Sequence, residues 1–402
     1  MLFNILFKHT PPLLHAGSVS KQYQLITVEL SNEDNLRLNV LLAQDVKAIR
    51  INEGTMTVHA LTEQGEAKIV LNPTTRDDQY LKIVKELFSL KITGSPGGYP
   101  IFLKRWTRMG HADNTLEHML LLGEPEAVVA VVHAPVISHD IGVRAWWALP
   151  TTEVAIRLME YPNVAKGKLG KELAAYLLEF LPFEEKQVSI VNMIRLCLQG
   201  ELITQEDREK LWARAKRRNP FYVGFLHASP DKIPLEKSCC AKYTTLSETL
   251  APLLQTNNVY AKTLCNLLSE DGQCWLETIK LSLKKPVDQD VVISLFIAIG
   301  KYFDLPLHTL RLDKRGTRSI ETAIEYSQEV CKNPDNDQLT ALFKALDKEY
   351  YPLVDTMLVL AQMGEHTLIP IFSGNESVGK VMRKHLLPLT TPLLEKVDIL
   401  MC

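Results

Sequence analysis

VKAIRINEGTMTVHALTEQGEAKIVLNPTTRDDQYLKIVKELFSL, residues 46–90, carries the clearest secondary-structure signals in the first third of the chain. Three strand-like segments are predicted in it, at 47–52, 56–61 and 67–71. Gly54 and Gly65 lie in the two connections, as short hairpin turns favour. A helix is predicted after Thr75, because apolar residues then recur at intervals of three and four: Tyr80, Ile83, Val84, Leu87 and Phe88.

The segments on either side extend this stretch into a small α+β domain at 31–110. Ser31 lies three residues before Asp34, a capping-box-like start for a short helix. At the other end, a glycine- and proline-rich turn leads into a further strand predicted at 99–109. Residues 1–30 are expected to form a loose N-terminal extension, and a cleaved signal peptide is not expected there.

Helical patterns dominate after residue 110, and proline-containing pairs separate many of the segments. We predict one helical domain at 111–232, a linker at 229–245 and a second helical domain at 246–402. The segments are unevenly spaced, so an irregular helical stack is expected, with a solenoid as its more regular alternative. The predicted fold class is an α+β N-terminal domain followed by a mainly α-helical region.

The composition excludes several classes of protein. Lys and Arg together number 45 and Asp and Glu 47, so no overall field attracts nucleic acid or an anionic membrane. The longest apolar run, residues 291–299, is about half the length that spans a bilayer. The seven cysteines are odd in number and show no Cys-x-x-Cys spacing, which argues against a disulfide framework, a zinc ribbon or a ligated iron–sulfur cluster. We therefore expect a cytoplasmic protein with no metal, no cofactor and no membrane segment.

Four stretches of the chain resemble the DsrS family, the sulfur reduction proteins encoded beside reverse dissimilatory sulfite reductase genes in sulfur-oxidising bacteria. They are LRLNVLLAQDVKAIRI (36–51), LTEQGEAKIVLNPT (61–74), GSPGGYPIFLKRWTRMG (94–110) and LLLGEPEAVVAVV (120–132). The resemblance covers roughly residues 31–230. It implies a cytoplasmic protein accessory to the oxidation of stored sulfur, with partners in that machinery. It implies no reaction, cofactor or catalytic residue, and a regulatory role is the usual suggestion for the family.

The predicted strand at 99–109 suggests a second hypothesis about function. Alternate residues share one face of a strand, so Phe102, Lys104, Trp106 and Arg108 are expected to project together. Two aromatic and two cationic side chains in that order are typical of a stacking surface for single-stranded RNA. The plainer alternative is an edge strand whose cations discourage sheet-to-sheet pairing while the aromatic rings pack under a helix.

Three cysteines suggest a third hypothesis about function, that the chain is a cysteine-based sulfur-transfer protein. Cys402 is the last residue, where a persulfide could be carried, and Cys239 and Cys240 lie in the predicted linker, where exposure is expected. The alternative is that they are inert packing residues, because no basic or helix N-terminal setting is evident to lower their pKa.

Two further motifs are interpreted as structural features, without a bound ligand. The basic run 208–218 ends a helix that is predicted to start at Thr204, where cations complement the helix dipole. In GNESVGKV (374–381), Gly374, Gly379 and Lys380 fit the spacing of a phosphate-binding loop. Val381, however, stands where that loop needs Ser or Thr, so nucleotide binding is not predicted.

Overall fold

The computed structural model describes residues 29–94, 113–228, 231–303, 305–306, 319–373 and 378–401. Contacts between residues divide the chain into two compact units. The first contains the described residues 29–94 and 121–124; the second contains 113–120 and the described residues from 125 onward. The predicted N-terminal extension up to residue 28 and the predicted strand at 99–109 lie outside the described residues.

The first unit is a three-stranded antiparallel sheet with two helices. The strands β1 (Val46–Asn52), β2 (Thr57–Thr62) and β3 (Gly65–Val70) pair in sequence order. The helices are α1 (Asn32–Leu42) and α2 (Asp77–Thr93). Side chains from both helices and from the sheet form one buried core, which includes Leu38, Ile49, Val58, Tyr80 and Phe88. The apolar stripe predicted along α2 thus corresponds to one buried face.

A buried carboxylate ties the first unit together. Ser31 caps α1, its hydroxyl accepting from the Asp34 amide, as its position in the sequence predicts. Asp34 Oδ2 accepts from the Tyr80 hydroxyl at 2.6 Å and from the Asn72 backbone amide at 2.7 Å. The Tyr80 oxygen in turn accepts from the Ser31 backbone amide at 3.1 Å. Asp34 therefore links the start of α1 to α2 and to the end of β3.

The second unit is helical throughout its described residues, apart from loops and short 3₁₀ turns such as Leu181–Phe183. Together with the sheet of the first unit, this confirms the predicted fold class. Its helices are α3 (Asp113–Met119), α4 (Pro125–Val132), α5 (His139–Ala148), α6 (Thr152–Met159), α7 (Gly167–Phe180), α8 (Gln187–Cys197), α9 (Gln205–Ala215), α10 (Pro220–Ala228), α11 (Tyr243–Gln255), α12 (Val259–Leu268), α13 (Glu270–Lys284), α14 (Gln289–Phe303), α15 (Ile320–Lys332), α16 (Asp337–Ala345), α17 (Tyr351–Leu360), α18 (Glu365–Phe372) and α19 (Gly379–Leu400). None of the helices that the structure describes is both long and apolar enough to cross a membrane.

The structure corrects the predicted division into helical domains at 111–232 and 246–402. Helices on both sides of the 229–245 segment share one buried core, which runs from Val191 to Leu400. The segment itself contributes Ile233 and Cys240 to that core, and the Cys240 amide donates to the Leu268 carbonyl at 2.9 Å. A linker keeps its side chains in solvent, whereas this segment buries apolar surface and pairs its backbone.

Helix α10 is the centre of this shared core, and the sequence patterns did not predict it. Its residues from Pro220 to Leu226 are all buried, and it packs on α8, α13 and α14. Gly224 allows the closest of these approaches, because a Cβ there would lie 2.7 Å from the Ile194 Cβ. Pro220 is the first residue of α10, where its missing N–H costs nothing.

The C-terminal helix, α19, runs from Gly379 to Leu400 with Pro388 and Pro392 inside it. Its buried stripe continues past both prolines: Met382, Leu386, Leu389, Leu393, Val397 and Leu400. Pro388 is exposed, so the carbonyl that it leaves without a helical partner can be hydrated.

Candidate functional site

A polar cleft opens beside the C-terminal end of α10. It has a volume of about 400 Å³. Its polar lining comes from α10, α12, α14 and the segment after α10: His227, Asp231, Thr263, Asn266, Lys301 and Tyr302. A second, smaller recess of about 250 Å³ is also lined by His227, together with Asn192, Arg195 and Ser294. His227 therefore lines two recesses of one unit.

His227 links α10 to α14. Its Nε2 lies 2.7 Å from the Ser294 carbonyl oxygen and 2.9 Å from the Ser294 hydroxyl. A carbonyl oxygen can only accept, so we assign the proton to Nε2, which donates to Ser294. Burial lowers the pKa of His227; the hydrogen bond to the Ser294 carbonyl opposes this shift in part, and the positive charges of Arg195 and Lys301 add smaller lowering effects. The imidazole is thus held neutral as the Nε2–H tautomer.

The same geometry decides what the His227–Ser294 pair can do. A general base must accept the proton of the nucleophile, but here Nε2 already carries a proton and points it at the carbonyl of the same serine. The pair is consequently a helix-to-helix contact in this structure, rather than an activated nucleophile. The cleft offers hydrogen-bonding groups and charges of both signs, Asp231 and Lys301, for binding a small polar molecule.

The floor of the cleft is rigidly packed. The Tyr302 ring stacks on Trp275 with centroids 3.8 Å apart, and Phe303 meets the edges of both rings. Burial raises the pKa of Tyr302, and the negative charges of Asp231 and Asp271 raise it further. Tyr302 is accordingly a neutral hydrogen-bonding side chain over the whole physiological pH range.

We expect His227 to make the helical unit less stable in mild acid. Because its pKa is lowered in the folded state, the unfolded chain binds a proton more readily below its ordinary pKa of about 6.5. The stabilisation is therefore complete above that pH and is lost as the pH falls toward the folded pKa. Urea unfolding of the wild type and of His227→Gln, measured between pH 7.5 and 5.5, checks this. The glutamine amide can still donate to Ser294, so the wild type should show the steeper loss, and parallel pH profiles would contradict the expectation.

A row of aromatic side chains forms a different kind of surface on α7. Tyr176, Phe180 and Phe183 are spaced at i, i+4 and i+7 and lie along one side of α7 and the 3₁₀ turn that follows it. The rings of Tyr176 and Phe180 stack with centroids 4.4 Å apart, and Trp146 meets Tyr176 edge-on at 4.9 Å. Phe180 is 39% exposed and Phe183 78% exposed. We call Tyr176, Phe180 and Phe183 the aromatic row. Their regular spacing is visible in the sequence, but no prediction was based on it.

The residues predicted to bind RNA or to carry sulfur are only partly described. Phe102, Lys104, Trp106 and Arg108 lie outside the described residues, so RNA binding stays a prediction. Cys402 also lies outside them. Cys239 is half-buried and free. The expected exposure is wrong for Cys240, which is 1% exposed and disulfide-bonded, because its segment packs into the core of the helical unit.

Two arginines of the basic run at 208–218 are held by contacts within the fold. Thr204 caps α9, as predicted, accepting from the Asp207 amide. The buried Arg208 guanidinium donates to the Lys232 carbonyl at 3.0 Å, and Arg218 donates to the Glu184 carbonyl at 3.2 Å. These two arginines therefore join neighbouring segments of the unit. Within the described ranges, no cluster of three or more His, Cys, Asp or Glu side chains is arranged to hold a metal ion.

Comparison of this chain with protein-family models, with curated proteins and with solved structures found no match.

Proposed function

We propose that this chain is a non-catalytic accessory or regulatory protein of dissimilatory sulfur metabolism, which acts in the cytoplasm by binding a protein of the sulfur-oxidation machinery. The pathway in this proposal comes from the resemblance of residues 31–230 to the DsrS family. The mode of action comes from the aromatic row.

The exposure of Phe183 is the observation that carries the proposal. A fully buried phenylalanine stabilises a fold by roughly 1.5–3 kcal/mol, and Phe183 gains little of this in the isolated chain. Phe180 lies three residues earlier in the chain, and its ring is held in position by stacking on Tyr176. Rigid, adjacent aromatic side chains lose little entropy on binding and are frequent anchors of protein interfaces.

The proposal predicts that truncating Phe183 weakens binding to a sulfur-oxidation partner. The chain would be titrated against purified reverse dissimilatory sulfite reductase and against the other proteins encoded with it, with affinities measured by biolayer interferometry. We expect saturable binding by the wild type, and for Phe183→Ala a rise in Kd of about tenfold or more, the size of an interface anchor. The side chain is exposed, so the melting temperature should be unchanged.

Val136 provides the matched control. It is an apolar side chain of the same unit with 77% exposure, and it lies outside the aromatic row. Val136→Ala should bind as the wild type does. Loss of affinity in both variants would indicate nonspecific apolar adhesion, and absence of saturable binding to every one of these proteins would refute the proposal.

A further inference from the structure

The polar cleft beside the C-terminal end of α10 contains one charge of each sign. Among the described residues that line it, only Asp231 and Lys301 are charged, because the His227 imidazole is held neutral. Neither of the two side chains makes an ion pair or a hydrogen bond with another described residue. The lining is therefore neutral in total, and both of its charges are available to a ligand.

The two charges act on different side chains of the cleft. Burial raises the pKa of Tyr302, and the negative charges of Asp231 and Asp271 add to this shift. Burial lowers the pKa of His227, and the positive charge of Lys301 adds a smaller lowering effect. The cleft is thus polarised, with its negative charge acting on Tyr302 and its positive charge acting on His227.

Neutral hydrogen-bonding groups complete the polar lining. The Thr263 hydroxyl donates to the Val259 carbonyl at 2.8 Å, so it can only accept from a ligand. The Tyr302 hydroxyl and the Asn266 side-chain amide have no hydrogen-bond partner among the described residues. The Tyr302 ring is already fixed by its stacking on Trp275. The cleft therefore offers both donors and acceptors to a polar ligand, and one of them is held in position before binding.

We propose that this cleft binds a free amino acid, whose carboxylate pairs with Lys301 and whose ammonium group pairs with Asp231. A zwitterion satisfies both charges, whereas an anion is repelled by Asp231 and a cation by Lys301. The volume of about 400 Å³ lies near the lower end of the range for ligand pockets, about 300–1,000 Å³, which suits a molecule of this size. No residue of the aromatic row lines the cleft, so amino-acid binding does not depend on the proposed function.

A screen of the standard L-amino acids against the full chain tests this site. Saturation-transfer NMR at millimolar ligand concentrations would identify the amino acids that bind, and isothermal titration calorimetry would give their Kd. We expect saturable binding of at least one of them, together with a rise in melting temperature, because a ligand that binds only the folded chain stabilises it. Absence of binding by every amino acid in the screen would overturn the proposal.

A matched pair of lysine variants locates the binding. Lys301 and Lys332 are both exposed, and each lies in the last turn of its helix, α14 and α15, so their removal costs the same favourable interaction with a helix dipole. Lys301→Met should raise the Kd of the bound amino acid about tenfold or more, because a charge-assisted contact is lost. Lys332→Met should bind as the wild type does. Equal affinities of the two variants would place the amino acid outside the cleft and refute the site.

Ligands that lack one charge assign each contact. The N-acetyl form of the bound amino acid has no ammonium group and its amide has no carboxylate, so each should bind the wild type about tenfold more weakly or worse. Asp231→Asn should bind the amino acid and its N-acetyl form equally, and Lys301→Met should bind the amino acid and its amide equally. A preference for the ammonium group that persists in Asp231→Asn would contradict the assigned pairing, as would full-strength binding of either modified ligand by the wild type.

Discussion

Gly272→Ala is expected to lower the free energy of unfolding of the helical unit by roughly 3 kcal/mol, the upper end of the usual cost of a forced overlap in a packed region. Gly272 lies in the first turn of α13, where its amide donates to the capping hydroxyl of Ser269. A Cβ at this position would lie 2.1 Å from the Asn266 carbonyl oxygen and 2.4 Å from that of Leu267. Both atoms belong to the backbone, so no side-chain rotation can relieve the contact.

Urea unfolding followed by circular dichroism and by tryptophan fluorescence would measure this loss. Gly200→Ala is the graded control in the same unit, because its Cβ would enter open space and only its positive φ of 55° opposes the substitution. We expect about 1 kcal/mol there. A Gly272→Ala protein as stable as the Gly200→Ala protein would mean that the α12–α13 corner opens more easily than the structure indicates.

Asp34→Ala is expected to destabilise the first unit by about 3 kcal/mol. The substitution removes the acceptor of the Tyr80 hydroxyl and of the Asn72 amide, and each buried donor left without a partner costs about 1–3 kcal/mol. Burial and the bond to Asp34 raise the pKa of Tyr80, so this hydroxyl stays protonated and continues to need an acceptor at neutral pH. The loss should be confined to the unit that contains the sheet.

Hydrogen exchange along β2 and α2 would locate the effect, with urea unfolding giving its size. Asp77→Ala is the matched control: this acid is also near the start of a helix, but it is exposed. Its removal should change the free energy of unfolding by no more than about 0.5 kcal/mol. Equal protection of β2 in the two variants would show that the Asp34 contacts contribute little to stability.

The elements that could be predicted were those buried on one side. The strands at 46–70, the stripe of α2 and the capped start of α1 each combine a regular apolar period with a recognisable boundary residue. The many short helices after residue 113 followed from the same signals. Such patterns arise where nearby residues lie in turn in the core and in solvent. They can be recognised from neighbouring residues alone.

The candidate sites could be predicted less well from the sequence. His227 ends a helix that is apolar on all sides, and its partner Ser294 is 67 residues away, so no local spacing connects them. Cys240 was expected to be exposed because it lies in the predicted linker, but its segment packs into the core of the helical unit. The aromatic row has a regular spacing, but its exposure depends on what the rest of the helical unit leaves uncovered.

The sequence of elements along the chain, an α+β segment and then helices that end near prolines, was thus predictable from the residues alone. Helix caps, turns and one-sided apolar stripes each depend on only a few neighbouring residues. Three features required the folded chain. Helix α10 has no periodic pattern of apolar residues because it is surrounded by α8, α13 and α14. Helix α19 continues through two prolines because its apolar stripe is packed in the core. The 229–245 segment joins the helices on either side of it into one core. Each depends on contacts between residues far apart in sequence, and burial from every direction leaves no pattern along the chain.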